Sequence, residues 1–253
     1  MVRRIHHVGV AVSRLADAYQ FYRDTLGLPL LKEATLEAQG VRAALLGAGE
    51  TEVELLEPLD PASGVARFLA RRGEGLHHLC FDVPGLEGAL AAFTQRGVEL
   101  IDTVPRPGLA GRIAFLHPRA CAGVLVELAT PPEEAAGVSS SPLELKRIVI
   151  GARDPRRTAD QFQDLFALSE RAMNGGPRIL LAAGQGALLM VPADEVGGAE
   201  GMVALSFVAE QFAALTDRCN GAGVKLLRGA GEVTIDPVSS HGVHLHISRY
   251  RFP

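Results

Sequence analysis

Apolar and polar positions alternate at the start of the chain in the way a strand requires. Val8, Val10 and Val12 share one face with His6 and form an apolar side that a helix can cover, while His7 shares the other face with the small Gly9 and Ala11. Leu15, Ala18, Tyr22 and Leu26 then recur at helical spacing, and Gly27 supplies a stop. The same pattern returns at 76–83, where Leu79, Phe81 and Val83 go with His77 and leave His78 beside Cys80. Leu86, Leu90 and Phe93 follow on one helix face, closed by Gly97. Each helix is succeeded by short strand-like runs, at 41–46 and 51–56 in the first module and at 112–116 and 124–128 in the second.

Residues 131–142, rich in Pro, Ser and Glu and without period, read as a connector. Beyond it, 146–152 aligns under 6–12, and Ala159, Phe162 and Phe166 lie under Tyr19, Tyr22 and Leu26. The chain is therefore expected to be α+β and built from four modules of about 60 to 70 residues. Modules one and two would make a first domain at 1–130, and three and four a second at 143–253.

Composition narrows the class. The 253 residues are 47% hydrophobic and 21% charged, with a formal net charge of −4. No run approaches the roughly 18 to 20 apolar residues of a membrane span, and no signal peptide is visible, so a cytoplasmic location without membrane association is expected. Residues 1–130 carry 13 basic and 15 acidic side chains and residues 131–253 carry 12 and 14. With neither an excess nor a segregation of Lys and Arg, nucleic acid is not an expected partner. Cys80, Cys121 and Cys219 form no CxxC pair and no disulfide framework.

The candidate chemistry lies in the repeat. His7 and His78 are 71 positions apart and stand in register, each with small neighbours on a face expected to be open. Each module also ends in a strand that sets one carboxylate among apolar residues, Glu54 in the first and Glu127 in the second, 73 positions apart. If the two modules pack with pseudo-two-fold symmetry, two imidazoles and two carboxylates converge. That donor set without thiolate suits Zn, Co, Mn, Ni or Fe as a divalent ion, and a carboxylate buried in an apolar strand needs such a partner. His6 and His77 are read as structural. His117, followed by Pro118, could line a pocket or make a turn, and His241, His244 and His246 cluster without a matching second group.

These stretches resemble the vicinal oxygen chelate superfamily (the glyoxalase, bleomycin resistance and dioxygenase proteins). The first domain is similar to the methylmalonyl-CoA epimerase family. The resemblance is carried by 6–12, by 53–59, by 75–83, and by 117–128, His-Pro-Arg-Ala-Cys-Ala-Gly-Val-Leu-Val-Glu-Leu. It covers about residues 3–130 and implies tandem βαβββ modules, four of them forming two domains of that fold. It also implies that His7, Glu54, His78 and Glu127 bind one divalent metal ion, with Glu127 acting as a catalytic base as well. The activity implied is that of a metal-dependent isomerase that removes and returns a proton at a carbon acid through a metal-stabilised enolate, on a small-molecule substrate such as a CoA thioester.

Where some relatives place a second acid-base Glu, this chain has Ala43, with Arg42 beside it. In the second domain Arg147, Leu188, Ala204 and His246 align with the four ligands, which marks a degenerate copy. Such a copy would make the chain either a monomer that mimics a dimer or one half of a homodimer. The competing expectations are a glyoxalase I-type lyase acting on a glutathione hemithioacetal, a ring-cleaving dioxygenase, and a ligand-sequestering resistance-type protein.

Overall fold

The computed structural model describes residues 2–132, 140–173 and 175–250. Of the connector expected at 131–142, residues 133–139 lie outside the described residues. All four modules follow the order β-α-β-β-β. The first consists of β1 (Arg4–Ala11), α1 (Leu15–Tyr19) continued by a π-helical stretch (Gln20–Thr25), β2 (Leu30–Leu36), β3 (Val41–Ala48) and β4 (Thr51–Pro58). A short helix α2 (Gly64–Arg72) leads to the second, which has β5 (Gly75–Asp82), α3 (Leu86–Gln95), β6 (Arg106–Gly108), β7 (Gly111–Leu116) and β8 (Val126–Thr130). The third has β9 (Leu143–Ala152), α4 (Pro155–Phe166), β10 (Ser169–Arg171), β11 (Ile179–Ala183) and β12 (Gly186–Pro192). The fourth has β13 (Gly201–Ala209), α5 (Phe212–Gly221), β14 (Leu226–Arg228), β15 (Glu232–Ile235) and β16 (His244–Ser248).

Each pair of modules builds one mixed eight-stranded sheet. The first runs β2-β3-β4-β1-β5-β8-β7-β6, and the second repeats it as β10-β11-β12-β9-β13-β16-β15-β14. The opening strand of each module therefore lies next to that of the other, with β1 beside β5 and β9 beside β13. The hairpins of each module fan outward from that centre. Gly27 and Gly97 take positive φ, 82° and 70°, as the residues that end the first two helical runs.

By packing, the chain forms two compact units, one of residues 1–7, 78–137 and 147–203 and the other of 8–77, 138–146 and 204–253. In the first, the helical face of the second module meets that of the third. The Phe166 ring lies 4.8 Å from Phe81, 6.1 Å from Phe93 and 5.5 Å from Phe162, centroid to centroid, and all four rings are buried. Arg96 closes the edge with an ion pair to Asp164 at 2.6 Å. In the second unit, the fully buried Tyr22 donates its hydroxyl to the Ser240 carbonyl at 3.0 Å. Arg218 on α5 reaches the Thr25 carbonyl at 3.1 Å, satisfying an acceptor at the end of the first helical run. Among the described residues no helix is long and apolar enough to cross a membrane.

Candidate metal centre

Strand alternation predicts that His7 and His78 share the face of the first sheet opposite its helices, and β5 and β8 fix where Glu127 falls. Cys80 pairs with Glu127 across that ladder, so Glu127 lies one step along the same face from His78. His7 Nε2 is 3.0 Å from His78 Nε2. The two Glu127 oxygens stand 3.6 Å from His7 Nε2 and 3.8 Å from His78 Nε2. Both are longer than a hydrogen bond, yet right for groups that share a third partner. His7, Glu54 and His78 offer ligand atoms that all lie within 4.8 Å of one another.

The open face expected for the histidines is not what the structure has. His7 is 0% exposed, His78 1%, Glu127 4% and Glu54 5%. Small neighbours leave room, but that room is filled by other side chains. The Phe115 ring stands edge-on to His78 at 5.5 Å, and His6 does the same to His7 at 5.1 Å. Phe115 belongs to a buried apolar cluster with Cys80, Ala110, Ile113 and Ala129 and pairs with Glu127 across the β7–β8 ladder. Cys80 also donates its thiol to Glu127 Oε1 at 3.3 Å, a contact not foreseen from the sequence although alternation had placed Cys80 on that face.

A divalent ion fits this donor set on its chemistry. Two carboxylates and two imidazoles are buried together, and buried carboxylates require charge compensation, which a bound cation would supply. Nitrogen and oxygen donors without thiolate suit a borderline or hard cation. The described residues contain no comparable set around His241, His244 and His246. His241 instead bonds Glu74 at 2.8 Å, and His246 meets the Thr234 hydroxyl at 3.2 Å. His117 resolves to a turn, its Nδ1 accepting the Arg119 amide at 3.2 Å.

Register settles the remaining positions. In the β3–β4 ladder Leu45 pairs with Glu54 and Ala43 with Leu56, so Ala43 shares the face of Glu54, two residues away, and brings no carboxylate to it. Arg42 is exposed and pairs with Glu33 at 2.8 Å. The counterpart of Glu54 in the second sheet differs from the expected Leu188. Both hairpins turn through two residues, with Ala48 paired to Thr51 in one and Ala183 to Gly186 in the other. Counting on from those pairs, Leu189 and not Leu188 stands where Glu54 does. Leu188 is fully buried on the helix side, as Val53 is. A slip of one residue in a strand moves a side chain to the opposite face, which is why alignment by spacing alone misplaced it. Ser206 pairs with His246 as Cys80 pairs with Glu127, which confirms His246 as the counterpart of Glu127 and places Ala204 with His78.

Comparison with known proteins bears on the family and the fold. Residues 6–115 match the model of the glyoxalase/bleomycin resistance protein/dioxygenase superfamily. The mouse mitochondrial methylmalonyl-CoA epimerase is 36% identical over 127 residues, 49% of this chain and 71% of that protein. A solved methylmalonyl-CoA epimerase in complex with methylmalonyl-CoA and NH4+ is 36% identical, with a TM-score of 0.51 over 55% of this chain and all of the other. A variant of 4-hydroxymandelate synthase from Streptomyces coelicolor superposes on the full chain with a TM-score of 0.74 and covers 95% of that protein. At 17% identity it shows a common fold alone.

Proposed function

Because the chain belongs to the glyoxalase/bleomycin resistance protein/dioxygenase superfamily, we propose that it is a metal-dependent epimerase acting on a carbon acid of the 2-methyl-branched malonyl-CoA type. The observation that supports this reading is the buried convergence of His7, His78 and Glu127, together with Glu54, in the half of the chain that resembles methylmalonyl-CoA epimerases. His7, Glu54, His78 and Glu127 would hold one divalent ion. When bound there, such an ion supplies Lewis-acid stabilisation of negative charge on a substrate oxygen, which is what removal of a proton beside a thioester carbonyl demands.

The side chains supply the rest. Glu127 is the residue we assign to proton transfer. Its carboxylate is buried, and the Cys80 thiol donates to Oε1 and so fixes its orientation. Phe115 and the apolar cluster around it keep the site dry, which strengthens each electrostatic contact inside it. We further propose that residues 1–130 are the metal-binding domain, that 131–142 connect, and that 143–253 are a degenerate second copy. There Arg147, Leu189, Ala204 and His246 occupy the ligand positions, and neither Leu nor Ala can coordinate.

Exchange of the α-proton of methylmalonyl-CoA with deuterated water, measured with protein loaded with cobalt(II), tests the reading. Exchange is expected, and a glutathione hemithioacetal should not turn over in parallel. Absence of exchange with metal bound would overturn the epimerase assignment, and turnover of the hemithioacetal would move it to a glyoxalase.

A further inference from the structure

His6 was expected to be structural, since successive strand residues point to opposite faces. It is nonetheless in touch with the site. His6 Nδ1 stands 2.9 Å from His7 Nδ1, with the rings at 87° to each other, and His6 is only 4% exposed. The His7 ring is thus engaged at both nitrogens, Nδ1 toward His6 and Nε2 toward His78 and Glu127.

A neutral imidazole carries one N–H and one lone pair, so a bond at one nitrogen decides what the other presents. If the Nδ1 proton of His7 is donated to His6, His7 Nε2 is left with its lone pair facing His78 and Glu127. The reverse arrangement would put a proton on Nε2 and remove a donor from the centre. His6, His7 and Cys80 also lie close enough to suggest an ion site of their own. However, the two near nitrogens are joined to each other and the thiol is joined to Glu127. His6 and Cys80 therefore flank the first centre, His6 through His7 and Cys80 through Glu127, and do not make a second one.

We propose that His6 is a positioning residue. It accepts the Nδ1 proton of His7 and so holds His7 in the tautomer whose Nε2 can bind a cation. The hydrogen bond stands on its own geometry, and only its consequence for ion affinity rests on the metal-centre reading given above. Ligating histidines are regularly fixed through their second nitrogen, and losing that partner weakens ion binding by about 10- to 100-fold.

Two measurements test this. In metal-free wild-type protein with ring-labelled histidine, the nitrogen-15 shifts of His7 should report a protonated Nδ1 and an unprotonated Nε2; a protonated Nε2 overturns the proposal. In competition of cobalt(II) against a chromophoric chelator, His6→Leu should bind about 10- to 100-fold more weakly. His6→Asn, whose side-chain oxygen can accept in place of the imidazole, should stay within about threefold of wild type on the same reasoning. A His6→Leu protein that binds cobalt(II) as well as wild type overturns the proposal. Should that variant fail to fold, the wild-type tautomer still decides. If wild-type protein binds no cobalt(II), the metal-centre reading falls, while the shifts of metal-free His7 continue to judge the role of His6 separately.

Discussion

His7 Nε2 and His78 Nε2 stand 3.0 Å apart, and one carboxylate, Glu127, presents an oxygen to each. Two imidazole lone pairs this close repel unless a proton or a cation lies on their common side. With Glu54 also at hand the charge balance favours a cation. The purified protein should hold about one divalent ion per chain, and His7→Ala and His78→Ala should each lose it by elemental analysis. Because an ion that binds only the folded state stabilises by mass action, saturation at about 100 times Kd should add about 2.7 kcal/mol and raise the melting temperature of wild type. Neither substituted protein should show that rise.

Glu127→Gln keeps the shape of the side chain and removes its basicity. Ion affinity should fall, so exchange is to be measured at saturating metal, where α-proton exchange should still drop by about 10²- to 10⁴-fold. Cys80→Ala removes the thiol that donates to Glu127 Oε1. The expected change is smaller, about two- to tenfold, in line with about 0.5–1.5 kcal/mol for one hydrogen bond. A Glu127→Gln protein as active as wild type at saturating metal would remove Glu127 from proton transfer.

Much of this was legible in the sequence because the signals were periodic and repeated. Alternation in 6–12 and 76–83, followed by helical spacing, yielded the strand-helix openings, and register-matched duplication pointed to His7, Glu54, His78 and Glu127. The structure puts a β-α-β-β-β module at each repeat. What could not be read depends on which distant side chains meet. Burial of His7 and His78 follows from Phe115 and His6 closing over them. The role of His6 was hidden because alternation assigns it to the other face, whereas its ring turns back to reach His7. The Leu188 slip arose because spacing between repeats carries no information about hairpin register, which the turn at Gly184 fixes.

The second copy supplies a control. Arg147 replaces His7 there, and burial lowers its guanidinium below the usual arginine range without bringing a ligand atom for a cation. Arg147→Ala and His246→Ala should leave metal content and α-proton exchange unchanged. Loss of metal from either one would show that the second half contributes ligands, and the description of 143–253 as a degenerate copy would fail.

Glu74 ties the end of the fourth module to the first. Its carboxylate accepts the Ser13 amide at 2.6 Å and pairs with His241 Nδ1 at 2.8 Å. Its backbone carbonyl packs against Gly242, where any β-carbon would collide with it. Burial pushes the Glu74 carboxyl up, but the Ser13 amide and His241 outweigh it and hold the group below the usual carboxylate range. A carboxyl whose folded pKa lies below its unfolded value stabilises the fold above that unfolded value, near about 4.3, and the contribution is lost as pH falls through the folded value. Glu74→Gln should therefore cost stability at pH 7, by about 1–3 kcal/mol for a part-buried charged hydrogen-bond acceptor. The gap between wild type and variant should narrow steadily below about pH 4. Urea melts of both proteins between pH 3 and pH 7 check this, and a gap that stays constant across that range would show that Glu74 contributes by shape and not by charge.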